Sequence, residues 1–391
     1  MSDIDANILR KILKILEDPK YPSIAPHLYL MTLTGLWHPI RSIGAIIKRA
    51  LFYITVALLF SQYVRIIIKF DNYSLNILLR YAPFHIGVIK AAHFLKNYNL
   101  WEDFITYIGT LEQKQLSGKD PVVNKLVNNY INYNRYVTYL FWTMSLVMCN
   151  WLISEFYRDS EKEPNVDKFV MFDVYAPFSE QLYAYGALQN LMAYLTGCYI
   201  VGWDTLVVAV IIFFNGQLKI AKHYSTNLID GKNSEVSHKN IADFHQHYIT
   251  LIKYQKIFNA LISPIMFTYL VNVSVNLGFS IIEIFQVIWE FDKDKVILNF
   301  MYLIACFIQL LFFYWHTNEV TVQSLNVSYG VFESDWTAAD HKVQKEVALI
   351  CVLTSKRLIF KAGPYYEMTL STFVSIIKGT YSFYTLLSKT N

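Results

Sequence analysis

The last apolar stretch of this 391-residue chain, Thr369 to Leu387, carries more hydroxyls than a lipid-facing helix usually does. Thr369, Ser371, Thr372, Ser375, Thr380, Ser382 and Thr385 interrupt a run of Phe, Ile, Tyr and Leu. About 19 residues at about 1.5 Å each just cross a hydrocarbon core of about 30 Å. A helix this polar faces other helices or water on at least one side. Hydroxyls can replace part of an ion's hydration shell, and apolar rings can close a narrow pore by dewetting. The chemistry such a stretch supports is therefore ion passage rather than bond making. Phe373, Ile377, Thr380, Tyr384 and Ser388 follow steps of four and three, so they share one helix face, the candidate pore lining. A polar stripe packed inside a bundle is the alternative. Lys378 would repel cations on an axis and is expected on a side face.

Residues suited to covalent chemistry are sparse. His245-Gln246-His247 lacks the repeated HxxxH pairs of membrane di-iron enzymes and reads as a solvated helix face. Asn134-Arg135-Tyr136 reads as an interfacial anchor. The cysteines at 149, 198, 306 and 351 suggest neither a disulfide framework nor a CxxC metal pair. No Gly-rich phosphate loop or nucleophile elbow is present. The expectation is a chain that is not an enzyme and has no cofactor and no metal.

Composition sets the class. The chain is 54% hydrophobic, 16% charged and 16% aromatic, whereas a soluble domain carries about a quarter charged residues. The net charge of +4 is too small to argue for nucleic acid. The start, Met1 to Pro19, reads as an amphipathic helix rather than a signal peptide, with Ile4, Ile8, Ile12 and Ile15 on one face. Seven spans follow, at about 45–63, 75–92, 137–153, 184–214, 258–288, 296–315 and the stretch above. Pro83, Pro264 and Gly278 are tolerated where neighbouring helices satisfy the freed backbone. Arg80 and His85 are expected to face the bundle interior, Arg80 in an ion pair.

Lys and Arg gather on alternate loops. Arg41, Lys48 and Arg49 precede the first span, Lys90 to Arg135 follow the second, Lys219 to Lys256 follow the fourth, and Lys342 to Lys361 follow the sixth. The intervening loops hold few, and 155–180 is acidic. The N-terminus is thus expected inside and the C-terminus outside. Asn72-Tyr73-Ser74 is then the sequon in an external loop, and Asn72 the candidate glycosylation site. Segments 97–115, 122–136, 317–335 and 338–354 read as helices of a cytosolic anchor bundle. The fold class expected is an all-α polytopic membrane protein. Residues 1–44 form a cytosolic helix and lead-in, 45–316 the first six spans, 317–364 the anchor helices, and 365–391 the pore helix and extracellular C-terminus.

The C-terminal third resembles insect odorant receptors, which are seven-helix ligand-gated cation channels. The resemblance rests on Glu319 and Ser328 ahead of Val331–Trp336 (VFESDW), then Lys342, Lys345 and Lys356-Arg357. Ala362-Gly363, Leu370-Ser371-Thr372-Phe373 and Ile376-Ile377-Lys378 with Thr380-Tyr381-Ser382-Phe383 complete it. Gln189, Asp204, Gln217 and Lys90 are weaker matches. The resemblance implies a tetramer around a central pore, in which a tuning subunit joins a separate co-receptor. The short segment 219–255 is similar to tuning subunits, since the co-receptor carries a long insertion there. The family's gate falls at Tyr384 and Ser388, neither of them aliphatic as in the co-receptor.

An odorant pocket is implied among spans two, three, four and six, in their outer halves. At that depth stand Leu79, Pro83, Phe84, Met144, Met148, Trp151, Met192, Thr196, Phe300 and Leu303. Aromatic walls and adaptable methionines suit a small volatile ligand, although the same residues also make ordinary core. The partners implied are a volatile odorant, a co-receptor in a heterotetramer and membrane lipid, with no nucleic acid. The place implied is the plasma membrane of sensory neurons. A gustatory-type channel that works alone and a G-protein-coupled receptor are the alternatives.

Overall fold

The computed structural model describes residues 15–40, 42–68, 72–162, 183–231, 233–290 and 293–387. All seven expected spans are helices. A short α1 (Ala25–Leu33) leads into α2 (Ile43–Ile68) and α3 (Asn72–Lys96). Then follow α4 (Tyr98–Leu116), α5 (Pro121–Lys162), α6 (Tyr183–Thr226), α7 (Ser234–Glu290) and α8 (Lys293–Glu333). After a 3₁₀ turn at Trp336–Ala338 come α9 (His341–Thr354), a hairpin of β1 (Lys361–Ala362) and β2 (Tyr366–Glu367), and α10 (Leu370–Leu387). Windows in α2, α6, α7 and α8 are long and apolar enough to cross a membrane. Of the remaining spans, α3 is diluted by Arg80, His85 and Lys90, and α10 by its hydroxyls.

The centre of the bundle is α6. Val207 to Phe214 is an unbroken buried run, because helices α3, α5, α7 and α8 surround it on every side. By contrast α2 is peripheral, with Ile46, Ile54, Phe60, Ile67 and Ile68 exposed. Pro264 lies inside α7 without ending it. At one end of the bundle, called here the anchor end, α4, α9 and the ends of α5 to α8 pack together. Phe104, Phe214, Phe258 and Phe360 form an aromatic knot there, with centroids 5.4 to 6.1 Å apart. Tyr107 stacks on Tyr254 at 3.5 Å. Each such pair adds about 0.5–1.5 kcal/mol beyond burial.

Several features were not expected from the sequence. The lead-in contains α1, which packs on α6 and ends where Leu36 and Trp37 donate to the Met31 carbonyl. Gly35, at φ 83°, lies so close to the backbone of Lys48 that a Cβ would meet it at 2.6 Å. The segment 219–255 is mostly helix, since α6 runs to Thr226 and α7 begins at Ser234. Lys90, counted among the cytosolic-side basic residues at the inner end of the second span, is 1% exposed inside the bundle. His247 is turned inward against Tyr224, at 5.7 Å, rather than solvated.

Candidate functional site

The approach to α10 is stitched to its neighbours. Gly363 adopts φ 66° at the hairpin turn, and its N–H donates to the Ser263 carbonyl at 3.0 Å. Lys361 N–H donates to Asn259 Oδ1, Thr317 Oγ1 to the Met368 carbonyl and Leu370 N–H to Asn318 Oδ1. The last span therefore starts at a fixed point between α7 and α8. Its Phe373 is buried against Phe307 and Tyr314, with centroids at 5.3 and 6.3 Å. Thr380 is buried too, and Ile377 is half-buried. The side chain of Tyr384 and the whole of Ser388 lie outside the described residues. The opposite face, with Ser371, Ser375, Lys378, Gly379 and Ser382, is exposed in the single chain. Phe373 and Thr380, two of the five expected pore-lining residues, are thus covered by the chain's own bundle.

The expected pocket residues differ in burial. Met192 and Thr196 are buried in α6, where Thr196 Oγ1 donates to the Met192 carbonyl at 2.7 Å. Phe84, Met148, Trp151 and Leu303 are half-buried. Met144 and Phe300 are 49% and 54% exposed, on the outer stripes of α5 and α8. The side chains of Leu79, Arg80 and Asn72 lie outside the described set. Pro83 lines a cavity.

That cavity has a volume of about 30 Å³, room for one or two waters, and is walled by α3, α6, α7 and α8. Pro83, Ile86, Ile200 and Val273 form its apolar side, and Lys90, Tyr269, Asn276 and Gln309 its polar side. A smaller cavity of about 10 Å³ lies between α5, α6 and α8, against Phe141, Asp204, Thr205, Gln309 and Phe312. Close approach of α3 and α6 helps to seal the first. A Cβ on Gly87 would sit 2.3 Å from Ile200 Cγ1.

A buried ion pair divides the two cavities. Lys90 Nζ donates to Asp204 Oδ1 at 2.5 Å, and Gln309 Nε2 donates to Asp204 Oδ2. The ammonium also lies over the rings of Tyr269 and Trp203, at 4.3 and 5.1 Å. Lys90 and Asp204 are 1% and 2% exposed, so each needs the other. Together they tie α3, α6 and α8 at one depth. Sequence reasoning had noted both residues but had not paired them. The available signal was an acid and a base in neighbouring apolar spans. His85 does face the interior, bonded to Gln62 at 2.8 Å. The described residues contain no cluster of His, Cys, Asp and Glu able to hold a metal.

At the anchor end Glu112 is fully buried. Its oxygens accept from Ser23 N–H at 3.1 Å and Tyr130 Oη at 2.9 Å. Burial pushes its carboxyl up to about 7, against those hydrogen bonds and the charge of Arg135. Gln115 and Gln217 exchange hydrogen bonds at 2.8 Å beside it. Asn134 Nδ2 donates to the Ser23 carbonyl and Arg135 pairs with Glu17, so this triplet clamps the lead-in onto α5.

Comparison with known proteins meets this geometry. Odorant receptor 10 of Aedes albopictus is 24% identical over 206 residues, which is 52% of this chain and 54% of that receptor. The chain thus spans about half the length of that relative. Odorant receptor 30a of Drosophila melanogaster is 21% identical over 74% of this chain and 76% of its own length. The fold is that of the insect olfactory receptor OR5 from Machilis hrabei, solved in complex with eugenol. The TM-score is 0.77 at 13% identity, covering 94% of this chain and 98% of that one. A sequence profile described as 7tm Odorant receptor matches residues 79–381, from α3 into α10. With the fold shared along nearly its whole length and the profile spanning most of its sequence, the chain belongs to the 7tm odorant receptor family, whose members are receptors and not enzymes.

Proposed function

We propose that this chain is the odorant-binding subunit of a heteromeric, ligand-gated, non-selective cation channel in the plasma membrane of sensory neurons. The observation that carries the reading is the family match across residues 79–381. A volatile ligand enters the outer half of the bundle beside Pro83, Phe84, Met192, Thr196 and Leu303. It opens the pore only by as much as it binds the open state better. The basic anchor end lies in the cytosol, as the Lys and Arg distribution favours. The C-terminus and a glycosylated Asn72 then lie outside.

Helix α10 lines the pore in this reading. A face turned to a central axis has to be one that the subunit's own bundle leaves open. Ser375, Gly379 and Ser382 meet that condition at steps of four and three, and Lys378 stands to one side, toward the neighbouring subunit. Phe373 and Thr380 act as packing residues that carry movement of α8 to the pore. Tyr384 and Ser388 continue their face by helical spacing.

Assembly is supported by the anchor end. Val322, Leu325, Tyr329 and Phe332 form an exposed stripe on α8 at steps of three and four, and Leu349 and Val352 on α9 are 71% and 73% exposed. Outside the membrane such a seam is covered by another subunit. The co-receptor is the partner we assign to it, while the exposed apolar face of α2 meets lipid.

The test is whole-cell current with a panel of volatiles and G-protein signalling blocked. Cells expressing this chain with a co-receptor should pass an odorant-evoked cation current that neither subunit gives alone. Silence in co-expressing cells with confirmed surface expression, or loss of the response on G-protein block, would overturn the reading.

A further inference from the structure

The start of α2 meets the lead-in and the start of α4 in a niche rich in bases. Lys48 and Arg49 stand just ahead of the apolar run 50–60, and Lys96 ends α3 two residues before Tyr98. The bond between Gln62 and His85 sets the antiparallel register of α2 and α3, which brings Arg49 and Lys96 within about a helical turn in depth. The charge of Arg49 acts on both His38 and Tyr98, and that of Lys48 on His38, so these groups lie together. Burial and the two neighbouring charges hold the His38 imidazole below its ordinary value, so it is neutral. Trp37 stacks on Tyr98 at 5.3 Å and gives the niche an apolar wall. Lys48 Nζ donates to the Thr32 carbonyl at 3.1 Å, which fixes the ammonium and leaves it further protons to donate. Among the described residues no carboxylate pairs with Lys48, Arg49 or Lys96. Glu102 acts on Tyr98 but bridges to none of the three. Arg49 Nε and His38 Nε2 are buried without a hydrogen-bond partner in the described chain, which polar groups so placed normally have.

We propose that this niche holds the headgroup of an anionic phospholipid, whose phosphate accepts from the Arg49 guanidinium and from the Lys48 and Lys96 ammonium groups. A planar guanidinium offers a phosphate two parallel N–H donors, and the lysines add charge without demanding one geometry. The acyl chains run along Leu51, Tyr53 and Ile54, which are exposed on the next turn of α2. Those side chains favour a lipid over a free anion. The bases stand at the mouth of a helix long and apolar enough to cross a membrane, and a free phosphate would leave its exposed apolar face uncovered. The bound headgroup ties the peripheral α2 to the lead-in and to α4. The inference requires that α2 crosses a bilayer, not that the chain conducts ions. With the orientation proposed above the site lies in the cytosolic leaflet, which carries the anionic lipids of a plasma membrane.

The test is native mass spectrometry of the purified receptor released from nanodiscs of phosphatidylcholine mixed with phosphatidylglycerol, together with thermal unfolding in the mixed discs and in phosphatidylcholine alone. Wild type should retain phosphatidylglycerol in preference to phosphatidylcholine and should unfold at a higher temperature in the mixed discs. One base near a membrane surface changes affinity for anionic lipid about fivefold, so Arg49→Gln and Lys96→Gln should each weaken retention by about that factor. Lys96 is exposed at a helix end, so its replacement leaves the packing intact even where Arg49→Gln disturbs it. Arg49→Lys, which keeps the charge and loses the fork, should fall between Arg49→Gln and wild type. Lys345→Gln, exposed on α9, should match wild type. Wild type without a phosphatidylglycerol preference, Lys96→Gln with the preference intact, or Lys345→Gln weakening retention as much would overturn the proposal. Displacement of the lipid by inorganic phosphate would make the niche a simple anion site and would also overturn it. Odorant-evoked current from a receptor without the lipid preference would count against this site alone. Lipid retention as expected without any current in co-expressing cells would count against the channel reading alone.

Discussion

Replacing Lys90 by Met removes the ammonium and keeps most of the stem's volume. Asp204 is then left 2% exposed with Gln309 as its remaining partner. An uncompensated buried charge costs about 3–5 kcal/mol. At about 1.4 kcal/mol per factor of ten, the lower figure already reduces the folded-to-unfolded ratio about a hundredfold. Asp204→Asn should cost a similar amount, because it strands Lys90 among the rings of Trp203, Tyr269 and Phe313. The double variant Lys90→Met/Asp204→Asn removes both charges. Its new amide oxygen can still accept from Gln309, so it should recover to within about 1–2 kcal/mol of wild type. The assay is thermal unfolding in nanodiscs, followed by tryptophan fluorescence, since Trp203 lies 5.1 Å from the ammonium. Surface abundance in cells gives a second readout. Recovery in the double variant is the critical outcome. A double variant as unstable as the sum of the singles, or singles as stable as wild type, would refute the claim that these charges need each other.

Four further outcomes follow from the same structure. Because the buried Glu112 carboxyl is raised from 4.5 to about 7, the folded state holds a proton that the unfolded chain has lost, and stability falls as pH rises through that window. Unfolding midpoints from pH 4.5 to 8 should show this decline, and Glu112→Gln should flatten it by about 3 kcal/mol. Gly216→Ala places a Cβ 2.2 Å from the Tyr130 ring, so it should lower stability by about 1–3 kcal/mol and disturb the Tyr130–Glu112 bond; an unchanged melting temperature would contradict that packing. Cysteines at Ser375 and Ser382 should be modified by a charged thiol reagent with block of the current, whereas a cysteine at the buried Phe373 should not react. Asn72→Gln should abolish the gel shift produced by glycosidase treatment, and a persistent shift would place the loops the other way round.

Much of the architecture was legible in composition and periodicity. Apolar runs of membrane-spanning length can bury their backbone only as helices, so all seven spans could be read without knowing their neighbours. The helical continuations 97–115, 122–136, 317–335 and 338–354 were equally visible, and they correspond to α4, the start of α5, the end of α8 and α9. The short α1 was less legible, since Ala25–Leu33 is apolar all round and too brief to show a face. The hairpin at Lys361–Glu367 owes its form to hydrogen bonds with Ser263, Asn259 and Thr317, all distant in sequence.

The site divides along the same line. The sequence alone determined that the chain is a helical membrane protein, that its last span is amphiphilic, and that Lys90 and Asp204 fall within the second and fourth spans. Those properties follow from residue type and spacing along one helix. Only the tertiary structure decided that Phe373 packs on Phe307 and Tyr314 while Ser375 and Ser382 stay open, and that Lys90 and Asp204 meet. It alone set Arg49 beside His38 and Tyr98. A helical period states which residues share a face, but the element covering that face comes from elsewhere in the chain. Whether a polar atom is satisfied likewise depends on groups a hundred or more residues away.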